Sequence, residues 1–298
     1  MEQALLDSSK YKIYSMSMDS RFADQYNLCP GDTSDFTIRL PSTYRNIARI
    51  ALSSVELPLV EMTFSVKKGN ISFLVTDPSD TATYVTVAIA EGNYTSPDLA
   101  DAVEDALKAL HPGFSATVDP FTGTITISHA TTAFTIIPTS PDSLIAARPS
   151  HWGLGYYLGF RSKGPLTATG TAPGPYTLTA TAPVLTQPTP YYLLQLWCPD
   201  LAENLSHRLS AGAFLPAFAK LVLRDGYYSL QFVDNSDYLR KEFTFLSPTN
   251  ISHLRVKLLD PYGEPVDLRG MEWSTTFELY EVVNSRTYTT MMGTYGRA

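Results

Sequence analysis

The sequence has few cysteines and little charge, and these two shortages exclude several classes of protein. Cys29 and Cys198 are the only cysteines among 298 residues, too few for a disulfide framework or a cysteine-based zinc site. Both are expected to be free thiols in a reducing compartment. Charged residues make up 17% of the chain and hydrophobic residues 44%, which excludes an intrinsically disordered chain and a charged coiled coil. A packed globular protein of one or two domains remains.

Long apolar runs and an excess of positive charge are also missing. No stretch of 18 apolar residues occurs, so we expect no membrane-spanning helix. The first ten residues carry neither the basic nor the apolar region of a signal peptide, so we expect no secretion signal. The 22 basic and 29 acidic residues give a net charge of −7, which repels phosphate and argues against direct binding of nucleic acid.

Aromatic residues, proline and glycine are abundant, and together they favour strands. The 18 tyrosines and 14 phenylalanines suit pleated strands, while the 21 prolines and 17 glycines suit tight turns. Apolar residues alternate with polar ones between residues 35 and 58, and again in short segments between residues 191 and 283. This spacing predicts a mainly β protein with a β-sandwich or barrel.

Turn residues set the expected ends of these strands. A turn is expected at Ser42-Thr43, and Pro41 and Pro58 are expected to stop the pairing because proline donates no backbone hydrogen bond. A further turn is expected at Ser247-Pro248. Three leucines between residues 201 and 209 recur at helical spacing and predict one short helix.

The middle third of the chain changes pattern around one strong helix signal. Leu99, Val103, Leu107 and Leu110 recur at helical spacing, after a hydroxyl-proline-acid sequence that is typical of a helix start. The pattern predicts a helix from about Ser96 to Leu110. Strand signals before it and a hairpin signal after it predict that residues 66–160 form a small α+β insertion.

The two strand-rich ends are predicted to combine into one domain. Residues 1–65 and 191–283 together supply about eight or nine strands, the number that a jelly roll needs. The predicted fold is therefore a jelly-roll β-sandwich with the α+β insertion between its strands. Residues 161–190 are expected to form a loop. The part from Gly164 to Pro190 contains eight threonines, six prolines and no charged residue. Residues 284–298 are expected to form a C-terminal tail.

A search for catalytic motifs finds none that the surrounding pattern supports. The sequence has no Gly-x-Ser-x-Gly, no phosphate-binding Gly-Lys-Ser/Thr loop and no His-Glu-x-x-His. The histidines form no pair at i,i+2 or i,i+4, so helix-end and surface positions are expected for them, with no metal and no cofactor. They are His111, His129, His151, His207 and His253.

Several short segments follow one another in an order that is more informative than any one of them. They are Met18-Asp19-Ser20-Arg21, Ser34-Asp35-Phe36-Thr37-Ile38-Arg39-Leu40-Pro41, Leu52-Ser53-Ser54-Val55-Glu56-Leu57-Pro58, Glu91-Gly92-Asn93-Tyr94-Thr95, Asp119-x-x-Thr122-Gly123-x-Ile125-x-Ile127, Leu158-Gly159-Phe160, Phe245-x-Ser247-Pro248-x-x-Ile251 and Leu258-Leu259-Asp260-Pro261-Tyr262-Gly263. In this order they resemble jelly-roll minor capsid and penton proteins of the nucleocytoplasmic large icosahedral double-stranded DNA viruses.

The resemblance implies a structural role in a virion and no enzymatic activity. It implies a minor capsid protein that binds major capsid subunits and other minor capsid proteins in an icosahedral shell assembled in the host cell. A penton subunit is a variant of the same role, and a homo-oligomer is compatible with it. Such contacts typically bury about 1,200 to 2,000 Å² each.

The C-terminal tail holds the candidate interface residues. Tyr288, Met291, Met292 and Tyr295 give the tail apolar anchors in a segment that otherwise has few candidates for a core. An ordinary frayed terminus is the other interpretation of the same residues, and the sequence leaves both open.

Two other functions compete with the capsid interpretation. A carbohydrate-binding β-sandwich would use exposed aromatic residues as a platform, and Trp152, Trp197 and Trp273 are its candidates. Two of these side chains exposed and coplanar on one sheet face would favour it. A metal-dependent sandwich enzyme would need a buried cluster of three histidine or carboxylate side chains.

Overall fold

In the computed structural model, eight stretches of the chain are described, and they fall into two compact units. Unit 1 holds the chain up to residue 61 and from residue 189 onward, and unit 2 holds residues 62–188. The predicted domains remain a prediction, since compactness does not test whether each part folds alone. The described stretches are 11–29, 31–139, 153–162, 164–187, 189–198, 205–208, 214–234 and 241–283, with the backbone only at 205–208 and at 214.

Unit 1 is built from antiparallel strands. Its main sheet has the strand order β1-β17-β3-β16-β11-β14, with β2 and β15 also paired to β3, and β12 pairs with β13 separately. The strands are β1 (Tyr11–Asp19), β2 (Gln25–Tyr26), β3 (Asp35–Pro58), β11 (Tyr191–Trp197), β12 (Leu205–Arg208), β13 (Phe214–Ala217), β14 (Ala219–Val222), β15 (Leu230–Asp234), β16 (Glu242–Leu259) and β17 (Ser274–Val282), and a 3-10 helix covers Ser20–Phe22.

One hydrophobic core joins the two segments of unit 1. Met18 and Phe36 from the first segment and Leu254 and Phe277 from the second are fully buried in the same cluster. The alternating apolar positions recognised in the sequence place these side chains on one face of the sheet. The predicted fold class, mainly β with a jelly-roll sandwich, is confirmed.

Strand β3 is longer than predicted because proline falls in a bulge. Arg39 and Tyr44 of β3 pair with His253 and Ile251 of β16, so the residues between Arg39 and Tyr44 bulge without ending the strand. The bulge contains Pro41, which has no N–H to donate. The expected turn at Ser42-Thr43 is therefore wrong, whereas β3 does end at Pro58 as predicted.

A second bulge accounts for the expected turn in β16. Thr244 and Thr249 pair with Arg49 and Ile47, so residues 245–248 bulge opposite a single residue of β3. The strand continues through them from Glu242 to Leu259, and the predicted turn at Ser247-Pro248 is wrong. The short helix predicted among the leucines at 201–209 is also wrong, because β12 forms there and pairs with β13.

Unit 2 is an α+β structure with its own core. Its strands form a sheet of order β5-β4-β8-β9 and a sheet of order β10-β7-β6. The strands are β4 (Ser72–Asp77), β5 (Asp80–Ala88), β6 (Phe114–Val118), β7 (Ile125–His129), β8 (Thr135–Ile137), β9 (Leu166–Thr167) and β10 (Tyr176–Thr179), and the helices are α1 (Ser96–Leu110) and α2 (Leu154–Tyr157). In the described ranges, neither helix is long and apolar enough to span a bilayer.

Helix α1 begins and ends where the sequence predicts. The Thr95 hydroxyl accepts a hydrogen bond from the Asp98 N–H and the Asp98 carboxylate accepts one from the Thr95 N–H, which completes a capping box. Leu99, Val103 and Leu107 are fully buried against the strands of unit 2.

The threonine- and proline-rich segment, predicted to be a loop, contains two short strands among irregular backbone. Residues 166–167 form β9 and residues 176–179 form β10, and each pairs with a neighbouring strand of unit 2. Ala168 and Ala180 are buried in the unit 2 core. Threonine suits a pleated strand, and the small alanines pack where a longer side chain would not fit.

Replacing Val103 by Asp tests the α1 packing. The substitution buries a carboxylate without a partner and should lower the free energy of unfolding of unit 2 by about 3 to 5 kcal/mol. Thermal and urea unfolding of the full chain measure the change. Ala109→Asp adds the same charge on the exposed side of α1 and should cost about 1 kcal/mol or less. Equal stability of the two variants would show that the buried face is misassigned.

Candidate functional site

The predicted interface residues of the tail are not among those that the structure describes. Tyr288, Met291, Met292 and Tyr295 lie outside the described stretches, which end at residue 283. Their role in binding stays a prediction.

Two histidines that the sequence separates meet in unit 2. His111 caps the C-terminal end of α1 as predicted, but His129 at the end of β7 is fully buried, so the predicted surface position is wrong for it. The His129 Nε2 and the His111 Nδ1 are 2.9 Å apart. No spacing rule connects residues on a helix end and a strand, and the sequence therefore gave no signal of this pair.

The hydrogen bonds around the pair show which ring nitrogens act as acceptors. The His129 Nδ1 accepts the Thr132 N–H at 2.9 Å, so the His129 proton resides on Nε2 and is donated to the His111 Nδ1. The His111 Nδ1 also accepts the Gly113 N–H at 3.2 Å. Burial and the neighbouring His111 both lower the pKa of His129.

The pair does not extend to a metal site. Among the residues described, no group of three or more histidine, cysteine, aspartate or glutamate side chains is arranged to hold a metal ion. The arrangement that a metal-dependent sandwich enzyme requires is thus not seen within these stretches.

The three tryptophans do not share one environment. Trp273 is buried, donates its indole N–H to the Thr33 carbonyl oxygen at 2.7 Å and packs edge-on against Phe36. Trp197, at the end of β11, is 38% exposed. Trp152 lies outside the described stretches. Trp197 and Trp273 therefore do not form the coplanar, exposed platform that would favour a carbohydrate-binding sandwich.

An apolar stripe runs along the outward side of β15 in unit 1. Leu230 and Phe232 of β15 and Tyr228, two residues before the strand, are each more than half exposed, at 63%, 55% and 65%. Gln231 and Val233, which alternate with Leu230 and Phe232, are buried. We call these three residues the β15 stripe. One edge of β15 pairs with residues 54–58 of β3, and within the described stretches no strand pairs with its other edge. An edge strand with outward apolar side chains is a common kind of protein contact site.

The alternation in β15 is visible in the sequence, but its meaning is not. Leu230, Gln231 and Phe232 alternate between apolar and polar types, and either type could face the core. Gln231 is buried and its side-chain oxygen accepts the N–H groups of Arg224 and Asp225 at 2.8 and 3.2 Å. These two bonds satisfy a polar residue inside and leave Leu230 and Phe232 outside.

Unit 1 also has a polar cavity. It lies over the side of the main sheet that carries charged residues. Its volume is about 520 Å³. Trp197 was a candidate from the sequence for a carbohydrate platform. Its neighbours in the cavity come from β2, β3 and β16, and no pattern in the sequence connects them with it. The lining includes Gln25, Asn27, Thr37, Trp197, His253 and Arg255.

Lowering the pH should destabilise the chain through His129. Its pKa is depressed in the folded state, so at pH below the ordinary value of about 6.5 the unfolded state binds more protons. The stabilising contribution is complete above pH 6.5 and declines below it, by up to about 1.4 kcal/mol per pH unit. Melting temperatures between pH 7.5 and 5 measure this decline.

Two variants show whether His129 is responsible. His129→Gln cannot titrate and should flatten the pH dependence, even if it lowers stability at pH 7.5. His253→Gln removes an exposed histidine of unit 1 and should keep the wild-type dependence. Wild-type and His129→Gln curves with the same slope below pH 6.5 would contradict the assignment.

Comparison with known proteins identifies the fold. No protein-family model matches the sequence, and no curated protein matches it either. The crystal structure of the selenomethionine-labelled mavirus penton protein matches with a TM-score of 0.52 and 11% identity, over 92% of this chain and 100% of that chain. A chain of the Sputnik virophage, solved by cryo-EM, matches with a TM-score of 0.41 and 12% identity, over 91% of this chain and 98% of that chain.

The match to the mavirus penton protein covers both units. The chain therefore shares the fold of a viral penton protein, which confirms the predicted resemblance to jelly-roll capsid proteins.

Proposed function

We propose that the chain is a structural subunit of an icosahedral viral shell, a minor capsid protein without catalytic activity. In this role it binds major capsid subunits and neighbouring minor capsid proteins through buried interfaces. The observation that carries the proposal is the fold shared with a penton protein over nearly the whole of both chains. A penton position is the nearest variant of the role, and it would make the partner in part a further copy of this chain.

The surface of unit 1 supports a role in assembly. Tyr228, Leu230 and Phe232 expose aromatic and aliphatic area on an edge strand, where a neighbouring protein can cover it. Aromatic side chains at the centre of an interface commonly provide most of its binding energy. The β15 stripe is therefore the part of the described surface that we propose to contact another shell protein.

Location in the virion follows from this role. The protein is assembled with its partners in the host cell and remains in the particle, without a direct contact to the genome, because its net charge of −7 is unfavourable for binding phosphate. Its partners are then proteins of the shell.

Phe232→Asp tests both the role and the stripe. The side chain is more than half exposed, so the melting temperature of the isolated protein should stay within a few degrees of wild type. Its copy number in purified particles, measured by quantitative mass spectrometry, should fall about tenfold because a charge replaces an apolar contact.

Two results would contradict the proposal at different levels. Absence of the wild-type protein from purified particles would exclude the capsid role altogether. Normal incorporation of Phe232→Asp would exclude the β15 stripe alone. Phe121→Asp places the same charge on a fully exposed hairpin of unit 2 and controls for a general effect of added charge.

Deleting residues 284–298 tests the tail. These residues follow the last strand of unit 1, so the truncated protein should melt close to wild type. Incorporation into particles should decrease, since the deletion removes the anchors Tyr288, Met291, Met292 and Tyr295. Unfolding of the truncated protein would place the tail in the core, and normal incorporation would show that the tail is not an assembly contact.

A further inference from the structure

Four side chains form a row across four strands of unit 1. Gln25 of β2 lies opposite Thr37 of β3, and Thr37 lies opposite Arg255 of β16. Arg255 lies opposite Trp197 of β11. Directly opposed residues point to the same face of a sheet, so the row crosses about 14 Å of one surface at the usual strand separation. This row forms the floor of the 520 Å³ cavity.

A buried carboxylate holds Arg255 in place. Asp35 has no exposed surface and accepts hydrogen bonds from the Arg255 Nε and Nη2, both at 2.7 Å. It also accepts one from the Asn27 side-chain amide at 2.9 Å, and the Lys257 Nζ is 3.7 Å away. The guanidinium lies over the Trp197 ring, 4.9 Å from its centroid. Asp35 holds one edge of the Arg255 guanidinium and Trp197 covers one of its faces. Arg255 therefore loses little further conformational entropy when it binds a ligand.

The cavity presents more hydrogen-bond donors than the protein uses. In the described part of the chain, the Arg255 Nη1, the Trp197 indole N–H and the Gln25 amide have no protein partner. Arg255 and Lys257 carry two positive charges against the one negative charge of Asp35, which leaves an excess of one (2 − 1 = 1). Lys257 does not line the cavity itself, but the Arg255 guanidinium and the unused donors favour a ligand that accepts hydrogen bonds and carries negative charge.

We propose that this cavity binds an acidic sugar, with its carboxylate on the Arg255 Nη1 and its ring beside Trp197. A lone carboxylate would fill only a small part of 520 Å³. It would leave the Gln25 amide without a partner and the Thr37 hydroxyl with only its hydrogen bond to the Asn27 side chain, at 3.1 Å. A sugar acid supplies hydroxyl groups for these side chains and a C–H face for the indole. The row that forms this site lies on β2, β3, β16 and β11 and includes no residue of the β15 stripe.

The aromatic group here is a single tryptophan in a cavity, not a flat platform. The Arg255 guanidinium already stacks on the Trp197 ring, so the ligand is held by the exposed remainder of the indole and by the surrounding donors. For this reason recognition depends on the carboxylate, and a neutral sugar of the same size binds more weakly.

Saturation-transfer NMR and titration calorimetry on the full chain provide the test. The probes are glucuronate and N-acetylneuraminate as acidic sugars, glucose as the neutral sugar, acetate as the bare carboxylate and a hexaglutamate peptide as an acidic protein segment. We expect the acidic sugars to bind at least about tenfold more tightly than glucose and acetate, as a charged hydrogen bond adds to the hydroxyl contacts.

Variants of three side chains locate the binding. Arg255→Gln should weaken acidic-sugar binding by about tenfold or more. If that variant fails to fold because Asp35 loses its partner, Gln25→Ala and Trp197→Phe change partly exposed side chains and should each weaken binding about threefold or more. Arg161→Lys is the matched control, because Arg161 also stacks on a tyrosine ring, 3.8 Å from the Tyr156 centroid, but belongs to unit 2.

Each other result overturns the proposal. No binding of any acidic sugar at millimolar concentration excludes the site, and equal binding of glucose excludes the role of Arg255. Tight binding of hexaglutamate without acidic sugars would reassign the cavity to an acidic segment of another protein. Unchanged affinity in Arg255→Gln, Gln25→Ala and Trp197→Phe would place the sugar elsewhere on the chain.

Discussion

The structure of unit 1 depends on the pairing of strand β3 along both of its edges. This strand has 24 residues and would extend about 80 Å if it were straight, far more than an ordinary strand. Strands β2 and β17 pair with one edge, while β16 and then β15 pair with the other. Because every other long strand of the sheet takes its register from β3 or from a partner of β3, an error in that register would reverse which face is buried.

Bulges allow so long a strand to remain part of a closed core. At one bulge Asn46 adopts a left-handed backbone with φ of 53° and its N–H is accepted by the Asn250 side-chain oxygen at 3.3 Å. Such irregularities bend the strand and increase its twist, and Ile47 and Ile50, which follow this bulge, are both fully buried. Two other bulges contain Pro41 of β3 and Pro248 of β16. Proline has no N–H to donate, so a bulge is where it can lie without the loss of a hydrogen bond between the strands.

The two faces of the main sheet of unit 1 differ in chemistry. The two candidate binding surfaces, the polar cavity and the β15 stripe, differ in the same way. The core face is filled by apolar side chains, whereas the opposite face around Asp35 carries an ion pair with Arg255 in which the carboxylate is fully buried. Removing Arg255 would take the bidentate partner from a fully buried carboxylate, at a cost of about 3 to 5 kcal/mol. The ion pair thus holds Arg255 in position in the lining of the cavity. The β15 stripe, in contrast, lies at a sheet edge and exposes apolar side chains.

The sequence by itself determined the composition class, the strand periodicity, the α1 helix and the resemblance to capsid proteins. These follow from local rules, since the capping residues at Thr95 and Asp98 and the spacing of Leu99, Val103 and Leu107 act within a few residues of each other. Local rules also explain the errors. Proline was assumed to end a strand, and a threonine-rich segment without apolar periodicity was assumed to form a loop.

Only the tertiary structure decided which distant residues meet. The residues of β16 that pair on either side of Pro41 lie more than 200 residues away in the sequence. A bulge forms instead of a turn because β16 continues past Pro41. The contact of His111 with His129 and the row of Gln25, Thr37, Arg255 and Trp197 likewise depend on register between strands that are distant in sequence. Register is set by the burial of a whole sheet face, a property of all the strands together that no single segment encodes.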